Sequence, residues 1–290
     1  ERLLPEYVAA RLTRPAEPLN VEVLQERFRL LLADPLFERL DVRLLPGAQP
    51  GRSILDVEVA RARPVRLSFF ANNHQAPAVG STQAGFEGGV SNLTGWGDVL
   101  AATVATSSGS TNTDATWTLP LGAQRTFVAL LLAIGNASVI EEPVSVLDIG
   151  SRTRTRELTA GHPVLESARQ KLVLGVTASE RRNSTTLDGE PFSFVAGEST
   201  GTTDVRSWRF FQDLVMRFDR QVLALRSPFV AGHNNIVADD TVPGSPDRRY
   251  RLWLGQAQAA LDIDDGGRQL LLRAQAQATG NHLVPLEQTS

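Results

Sequence analysis

Residues 251–279 read RLWLGQAQAALDIDDGGRQLLLRAQAQAT, and this stretch decides the class of fold. Trp253, Ala257, Ala259 and Leu261 fall on one side of a period of two, with Gln256 and Gln258 on the other. Past the polar turn, Leu270, Leu272, Ala274 and Ala276 oppose Arg273, Gln275 and Gln277. A chain whose side chains alternate apolar and polar over ten residues is a β-strand with one dry face and one wet face.

The pattern continues towards the amino terminus. Leu172, Leu174, Val176 and Ala178 oppose Lys171, Thr177 and Ser179. Thr82, Ala84, Phe86 and Val90 oppose Gln83, Glu87 and Ser91. Val65, Leu67, Phe69 and Ala71 oppose Arg66, Ser68 and Asn72. The longest apolar run, Phe127 to Ile134, falls far short of the roughly 20 residues a membrane-spanning helix needs. Barrel strands need only about 10 residues of alternating character.

A soluble sandwich also alternates, so the connections matter. Short ones are expected at 92–98, 121–125, 165–170, 217–220 and 264–269. Long polar ones are expected at 73–80, 107–114, 141–151, 182–204 and 232–247. Short turns on one side and long loops on the other characterise a transmembrane antiparallel barrel. About eleven strands are expected, an incomplete barrel. Trp96, Trp117, Trp208, Trp253 and Tyr250 are candidates for an interfacial aromatic girdle.

Residues 1–63 carry another pattern. Leu24, Phe28, Leu31 and Leu32 share a helical face that ends at Asp34-Pro35, and 7–12 suggests an earlier short helix. Leu40, Val42 and Leu44 then alternate with Asp41 and Arg43. After the turn at 46–51, Leu55, Val57 and Val59 alternate with Asp56 and Glu58. The expectation is a small α+β unit whose first strand is missing at the cut end, followed by the barrel over 64–290.

Composition excludes several classes. The net charge is −3 and the pI about 5.9, so no basic footprint suggests nucleic acid. With no cysteine there is neither a disulfide framework nor a thiolate metal site. His74, His162, His233 and His282 have no ligand spacing. Asp262, Asp264 and Asp265 before Gly266-Gly267 lack the downstream glutamate of a calcium loop. The GESTG run at 197–201 is not followed by the helix of a nucleophile elbow. Gly85, Gly88 and Gly89 suit strand curvature better than phosphate binding. No catalytic residue, metal or cofactor is expected.

The run FERLDVRLLPGAQPGRSILDVEV at 37–59, followed by RARPVRLSFFANNHQAPAVGSTQAGFEGGVSNLTGWGD at 61–98, resembles the domain junction of two-partner secretion transporters, the haemolysin activation and secretion proteins of the outer membrane. GEPFSF (189–194), RQVLALRSPF (220–229), LWLGQAQ (252–258) and LVPLEQ (283–288) resemble the same family in the same order. The resemblance implies that 1–63 is the second of two periplasmic polypeptide-transport-associated (POTRA) domains. It implies that 64–290 is about two-thirds of a barrel of about sixteen strands. The family's Val-Arg-Gly-Tyr pore-loop segment is expected just beyond Ser290. The implied activity is export of an unfolded exoprotein of the haemolysin or adhesin kind through the outer membrane, without catalysis. A barrel-assembly factor of the same superfamily, a passive porin and a soluble β-rich binding protein are the alternatives. Leu67, Phe69, Phe86, Leu172, Leu174, Trp253 and Leu272 are expected to face lipid. Arg66, Glu87, Gln256, Gln258, Arg273 and Gln275 are expected to face the lumen. The strand Arg39, Leu40, Asp41, Val42, Arg43, Leu44 and Leu45 is the candidate edge for pairing with an extended client.

Overall fold

A computed structural model describes residues 5–13, 18–49, 51–236, 244–264 and 267–288. Pro50 of the first turn, Asp265 and Gly266 of the Asp-Gly turn, and 237–243 of the last long loop lie outside the described residues.

The chain opens with two helices, α1 (Pro5–Leu12) and α2 (Val21–Leu32). Asn20 caps α2, its side chain accepting from Glu22 N at 2.9 Å and Val23 N at 3.4 Å. Such a cap satisfies amides that a helix start leaves free. Asp34 then accepts from Leu36 N and turns the chain into a hairpin of β1 (Phe37–Pro46) and β2 (Ser53–Arg61). Val8, Leu12, Leu24, Leu31, Leu36, Phe37 and Leu40 close a small core.

The rest is one antiparallel sheet. Its strands are β3 (Val65–Asn72), β4 (Gln83–Ser91), β5 (Val99–Ser107), β6 (Ser110–Leu121), β7 (Thr126–Ser138), β8 (Gly150–Glu166) and β9 (Gln170–Leu187), then the two-residue β10 (Glu190–Pro191), β11 (Thr202–Arg217), β12 (Gln221–Arg226), β13 (Phe229–Asn234), β14 (Arg249–Asp262) and β15 (Gln269–Thr279). β12 and β13 both lie between β11 and β14, so they are one strand interrupted at Ser227-Pro228. Counted so, and with β10 as an appendage of β9, eleven strands form an up-and-down meander, as expected. β3 and β15 are its edges, and no pairing joins them among the described residues. The helices described after residue 64 are single 3₁₀ turns.

Loop parity holds with one correction. The connection expected to be long at 107–114 is a tight turn of Ser108 and Gly109 between β5 and β6. Its polar composition suggested a loop. Thr111 and Thr113 instead pair with Thr106 and Val104 of β5 and with Asn136 and Ile134 of β7, and β-branched threonines suit a pleated strand.

The register defines two faces. Phe69, Phe86, Val104, Thr113, Ile134 and Arg154 are successive cross-strand partners. Leu67 shares that face through Gly88, as do Leu172 and Leu174 through Leu214 and Gln212. Trp253 joins through Phe229 and Phe210, and Leu272 through Ala259. Arg66 and Glu87 lie on the opposite face, with Gln256, Gln258, Arg273 and Gln275. The first face is mostly exposed. The second carries the buried residues Thr177, Ser179, Thr203, Val205 and Ser207.

Tyr250 is the second correction. It belongs to the covered face and is 3% exposed, its ring lying over Gly232 of β13. Phe70 over Gly85, Phe127 over Gly161 and Phe211 over Gly175 repeat the arrangement. In each pair a β-carbon on the glycine would overlap the ring. An aromatic filling the gap of a cross-strand glycine lets the sheet bend there and keeps the inner surface packed.

Candidate functional site

The helix–hairpin unit is docked on the short-turn end of the sheet. The Tyr7 ring packs on Gly97, whose φ of +83° and lack of a side chain make room for it. Tyr7 donates to Asp34 at 2.7 Å; burial pushes its hydroxyl pKa up and the Asp34 carboxylate adds to the shift. Arg11 donates to Gly122 O at 3.3 Å. Arg125 donates to Leu30 O at 2.8 Å and pairs with Glu166 at 3.2 Å. The turns 92–98 and 122–125 are both short ones, so all short connections share the end that carries α1 and α2. The longer loops mesh at the other end, where Gly109 N donates to Val79 O, Ile140 N to Ala78 O and Asp188 N to Leu147 O.

After β15 the chain turns back onto the covered face. Leu283 and Val284 are 8% and 0% exposed and pack with Val205, Val230, Tyr250 and Leu252. Beside them four charges form a closed ring. Arg209 reaches Glu157 and Glu287 at 3.2 Å each, and Arg181 reaches the same carboxylates at 3.5 and 3.7 Å. Ser179 donates to Glu157 at 2.9 Å, Arg181 to Leu286 O at 3.1 Å, and Gln277 to Glu287 O at 2.9 Å. Two arginines alternating with two glutamates neutralise one another; Ser179 adds a third donor to Glu157 Oε1, and the bonds to the Leu286 and Glu287 carbonyls tie the returning segment to the same wall.

From the ring a hollow of about 540 Å³ extends towards the short-turn end, lined by Arg226, Asp213, Gln256 and Gln277 and by Phe127, Phe211, Leu252 and Leu254. Arg226 stands over the Phe211 ring at 5.3 Å and 3.5 Å from Asp213. The expected inner residues thus do share a face, but the ring is the feature that reading from sequence missed. A signal existed in part: Glu157, Arg181 and Arg209 sit at the wet parity of their strands.

The hairpin's open side is also defined. Gly47 N–H donates to Arg52 O at 2.9 Å, and the register runs from Pro46↔Ser53 to Leu40↔Val59. Amide directions alternate along a strand, so Leu45, Arg43 and Asp41 donate towards β2. Leu44, Val42 and Leu40 direct their amides to the other side, where no strand pairs among the described residues.

Residues 51–290 match the family described as haemolysin secretion/activation protein ShlB/FhaC/HecB. The chain belongs to this family. Among curated proteins no single sequence matches it. CdiB from Escherichia coli shares its fold with a TM-score of 0.77 at 18% identity, over 97% of this chain and 53% of that one. CdiB from Acinetobacter baumannii does so with a TM-score of 0.72 at 13% identity, over 98% and 52%. BamA from Haemophilus ducreyi lacking POTRA domains 1–3 gives 0.51 at 8% identity, over 96% and 70%. This chain therefore spans about half the length of the CdiB structures. The likeness shows the fold, a transmembrane antiparallel β-barrel sheet.

Proposed function

We propose that this haemolysin secretion/activation protein forms the outer-membrane pore through which a partner exoprotein of the haemolysin or adhesin kind, unfolded, leaves the periplasm for the cell surface. Residues 1–63 act as a periplasmic POTRA domain and 64–290 as barrel wall. Leu67, Phe69, Phe86, Leu172, Leu174, Trp253 and Leu272 face lipid; Arg66, Glu87, Gln256, Gln258, Arg273 and Gln275 face the lumen. The observation that carries this reading is the pairing of an apolar outer face with a Gln-, Ser-, Thr- and Arg-rich inner face, entered at the end where α1 and α2 dock. A wet wall holds an extended client weakly and lets it slide. The unpaired amides of Leu40, Val42 and Leu44, on the 39–45 edge, capture it by adding a strand. Client folding outside supplies direction. BamA is matched less well than CdiB, which ranks the assembly-factor reading second, and a passive porin has no use for the helix–hairpin unit.

The test is deletion of the transporter beside its client. The exoprotein should disappear from the medium while other barrel proteins still fold. Client at the surface without the transporter refutes the reading, and a general loss of folded barrels moves the chain to the assembly class. At the entrance, Val42→Pro removes an outward amide, whereas Asp41→Pro breaks a bond inside the hairpin and controls for unfolding. If full-length Val42→Pro protein keeps normal secretion, the 39–45 edge is not the docking site.

A further inference from the structure

The exposed face of the sheet is unevenly charged. Across β3–β7 that face runs through Leu67, Phe69, Phe86, Leu100, Leu132 and their partners without one Asp, Glu, Lys or Arg. Across β8–β15 it is equally free of those residues over the half nearer the helices, below the row Leu158, Ala178, Trp208 and Ala231. Over the half nearer the long loops it changes abruptly. Arg152, Arg154 and Arg156 follow one another at alternate positions on β8. Arg182 of β9 lies opposite Arg154, Arg206 of β11 opposite Glu180, and Arg249 and Arg251 of β14 opposite His233 and Ala231. All seven arginines are exposed.

Among the described residues two carboxylates share this patch. Glu180 takes Arg206 at 2.9 Å and Arg156 at 3.6 Å, and Asp204 takes Arg182 at 3.4 Å. Seven positive charges against two negative leave a strong excess on this face among the described residues. A groove of about 810 Å³ opens at the boundary. Its lining combines the apolar Leu130, Leu158, Ala178 and Trp208 with Arg156, Arg206, Arg249 and Arg251, and Glu180 is the carboxylate of that exposed face among them.

We infer that this groove is a lipid site for the phosphorylated glycolipid of the outer leaflet, with acyl chains on Leu158 and Trp208 and phosphates on these arginines. The inference rests on the proposed outer-membrane placement, which sets the arginines at the headgroup depth of the cell-surface side. Guanidinium groups on adjacent strands match phosphate oxygens through paired hydrogen bonds. The apolar part of the lining takes the attached chains, and charge complementarity selects a lipid with more than one phosphate. The absence of such residues on β3–β7 confines the patch to β8–β14 among the described strands.

The test uses full-length transporter extracted from outer membranes in mild detergent, with bound lipid identified by native mass spectrometry. Wild type should retain the phosphorylated glycolipid. The variant carrying Arg156→Gln, Arg206→Gln, Arg249→Gln and Arg251→Gln should lose it, at about five-fold in affinity per arginine removed. Arg273→Gln, on the opposite face, should retain it, and added glycolipid stripped of its phosphates should fail to bind wild type. Retention by the quadruple variant overturns the inference, as does wild type carrying only glycerophospholipid. Heat-modifiable mobility and client secretion are followed in the same preparations. If these are lost in wild type, the placement in the outer membrane is wrong. If they persist with no lipid difference, the lipid site alone is wrong.

Discussion

Removing one carboxylate from the four-charge ring should release the segment 283–288. In Glu287→Gln, Arg181 and Arg209 are left sharing Glu157, and the excess positive charge sits where Glu287 had been 6% exposed. Breaking a buried pair from one side costs about 3–5 kcal/mol. The two arginines keep 26% and 20% of their side-chain surface in contact with solvent, so water recovers part of this and about 2–3 kcal/mol is expected. At 1.4 kcal/mol per factor of ten, the undocked population rises about 30- to 150-fold. Residues 1–290 contain no cysteine, so in full-length protein with any cysteine elsewhere replaced by serine, Val284→Cys is a unique reporter at a side chain that is 0% exposed. Valine to cysteine keeps the volume nearly constant, so the parent segment stays docked. Maleimide labelling of the full-length protein should be slow in that background and faster by the stated factor with Glu287→Gln. Raising salt from 0.1 to 1 M should change the parent rate little, because enclosed charges are screened far less than surface ones. A labelling rate within two-fold of the parent would refute the view that the ring holds the segment.

The facing of the strands is tested by charge insertion: Leu174→Arg should cost roughly 2–4 kcal/mol in barrel stability if it lies near the bilayer midplane, and Gln275→Arg little. Equal shifts in the urea midpoint of heat-modifiable folding would contradict the assignment. Gly175→Ala forces a β-carbon against the Phe211 ring and should destabilise by about 1–3 kcal/mol. Gly175→Ala combined with Phe211→Leu should recover only the part due to the ring, because the added β-carbon also meets Ala160 O at 2.8 Å, and the same unfolding assay reads both. In the 92–98 turn, burial disfavours the charged form of Asp98, but hydrogen bonds from Thr94 and Trp117 outweigh it and hold its carboxyl below the usual carboxylate range. A folded pKa below the unfolded one gives stability that is present above about pH 4 and is lost as pH falls through the folded value. Wild type should therefore melt well above Asp98→Asn at pH 7, with the gap narrowing below about pH 4. A gap independent of pH would show that the carboxylate's charge is not what stabilises the turn.

Much of the fold was legible because a pleated strand imposes its period on any sequence with one dry face. Leu172 to Ala178 and Leu270 to Ala276 declare their faces without help from neighbours, and the 22–33 stretch declares its helix through the stripe of Leu24, Phe28, Leu31 and Leu32 and the stop at Asp34-Pro35. Composition misled where polarity and strand preference coincide, as at Thr111 and Thr113, whose inner or outer placement depends on β5 and β7. Tyr250 was misplaced because an amphipathic ring suits both an interface and a packed inner wall. Only the register, which pairs it with Gly232, decides. The ring was illegible for a different reason. Glu157, Arg181, Arg209 and Glu287 come from three strands and a returning segment, and LVPLEQ has no period to show where it lies.

These pieces set an energetic condition on the proposed export. A client entering at the α1–α2 end first meets the hollow lined by Arg226, Asp213 and Gln256, then segment 283–288 against the same wall, nearer the long loops. Phe127, Phe211, Leu252 and Leu254 line the hollow beside these polar groups, so its hold on the client is shared between apolar contact and weak polar bonding. Capture at 39–45 differs. Leu40, Val42 and Leu44 present three outward amides, and at roughly 1 kcal/mol net per main-chain bond an added strand contributes about 3 kcal/mol or more once its reciprocal bonds form. That is comparable to the 2–3 kcal/mol assigned to the ring. Capture therefore has enough free energy to offset release of the segment only while the client stays paired. An unpaired client leaves 283–288 docked and that stretch of wall occupied. The segment's hold and the edge's grip are matched in size, and weakening the ring with Glu287→Gln should relax the need for capture, so that the secretion defect of Val42→Pro is partly relieved in the double variant.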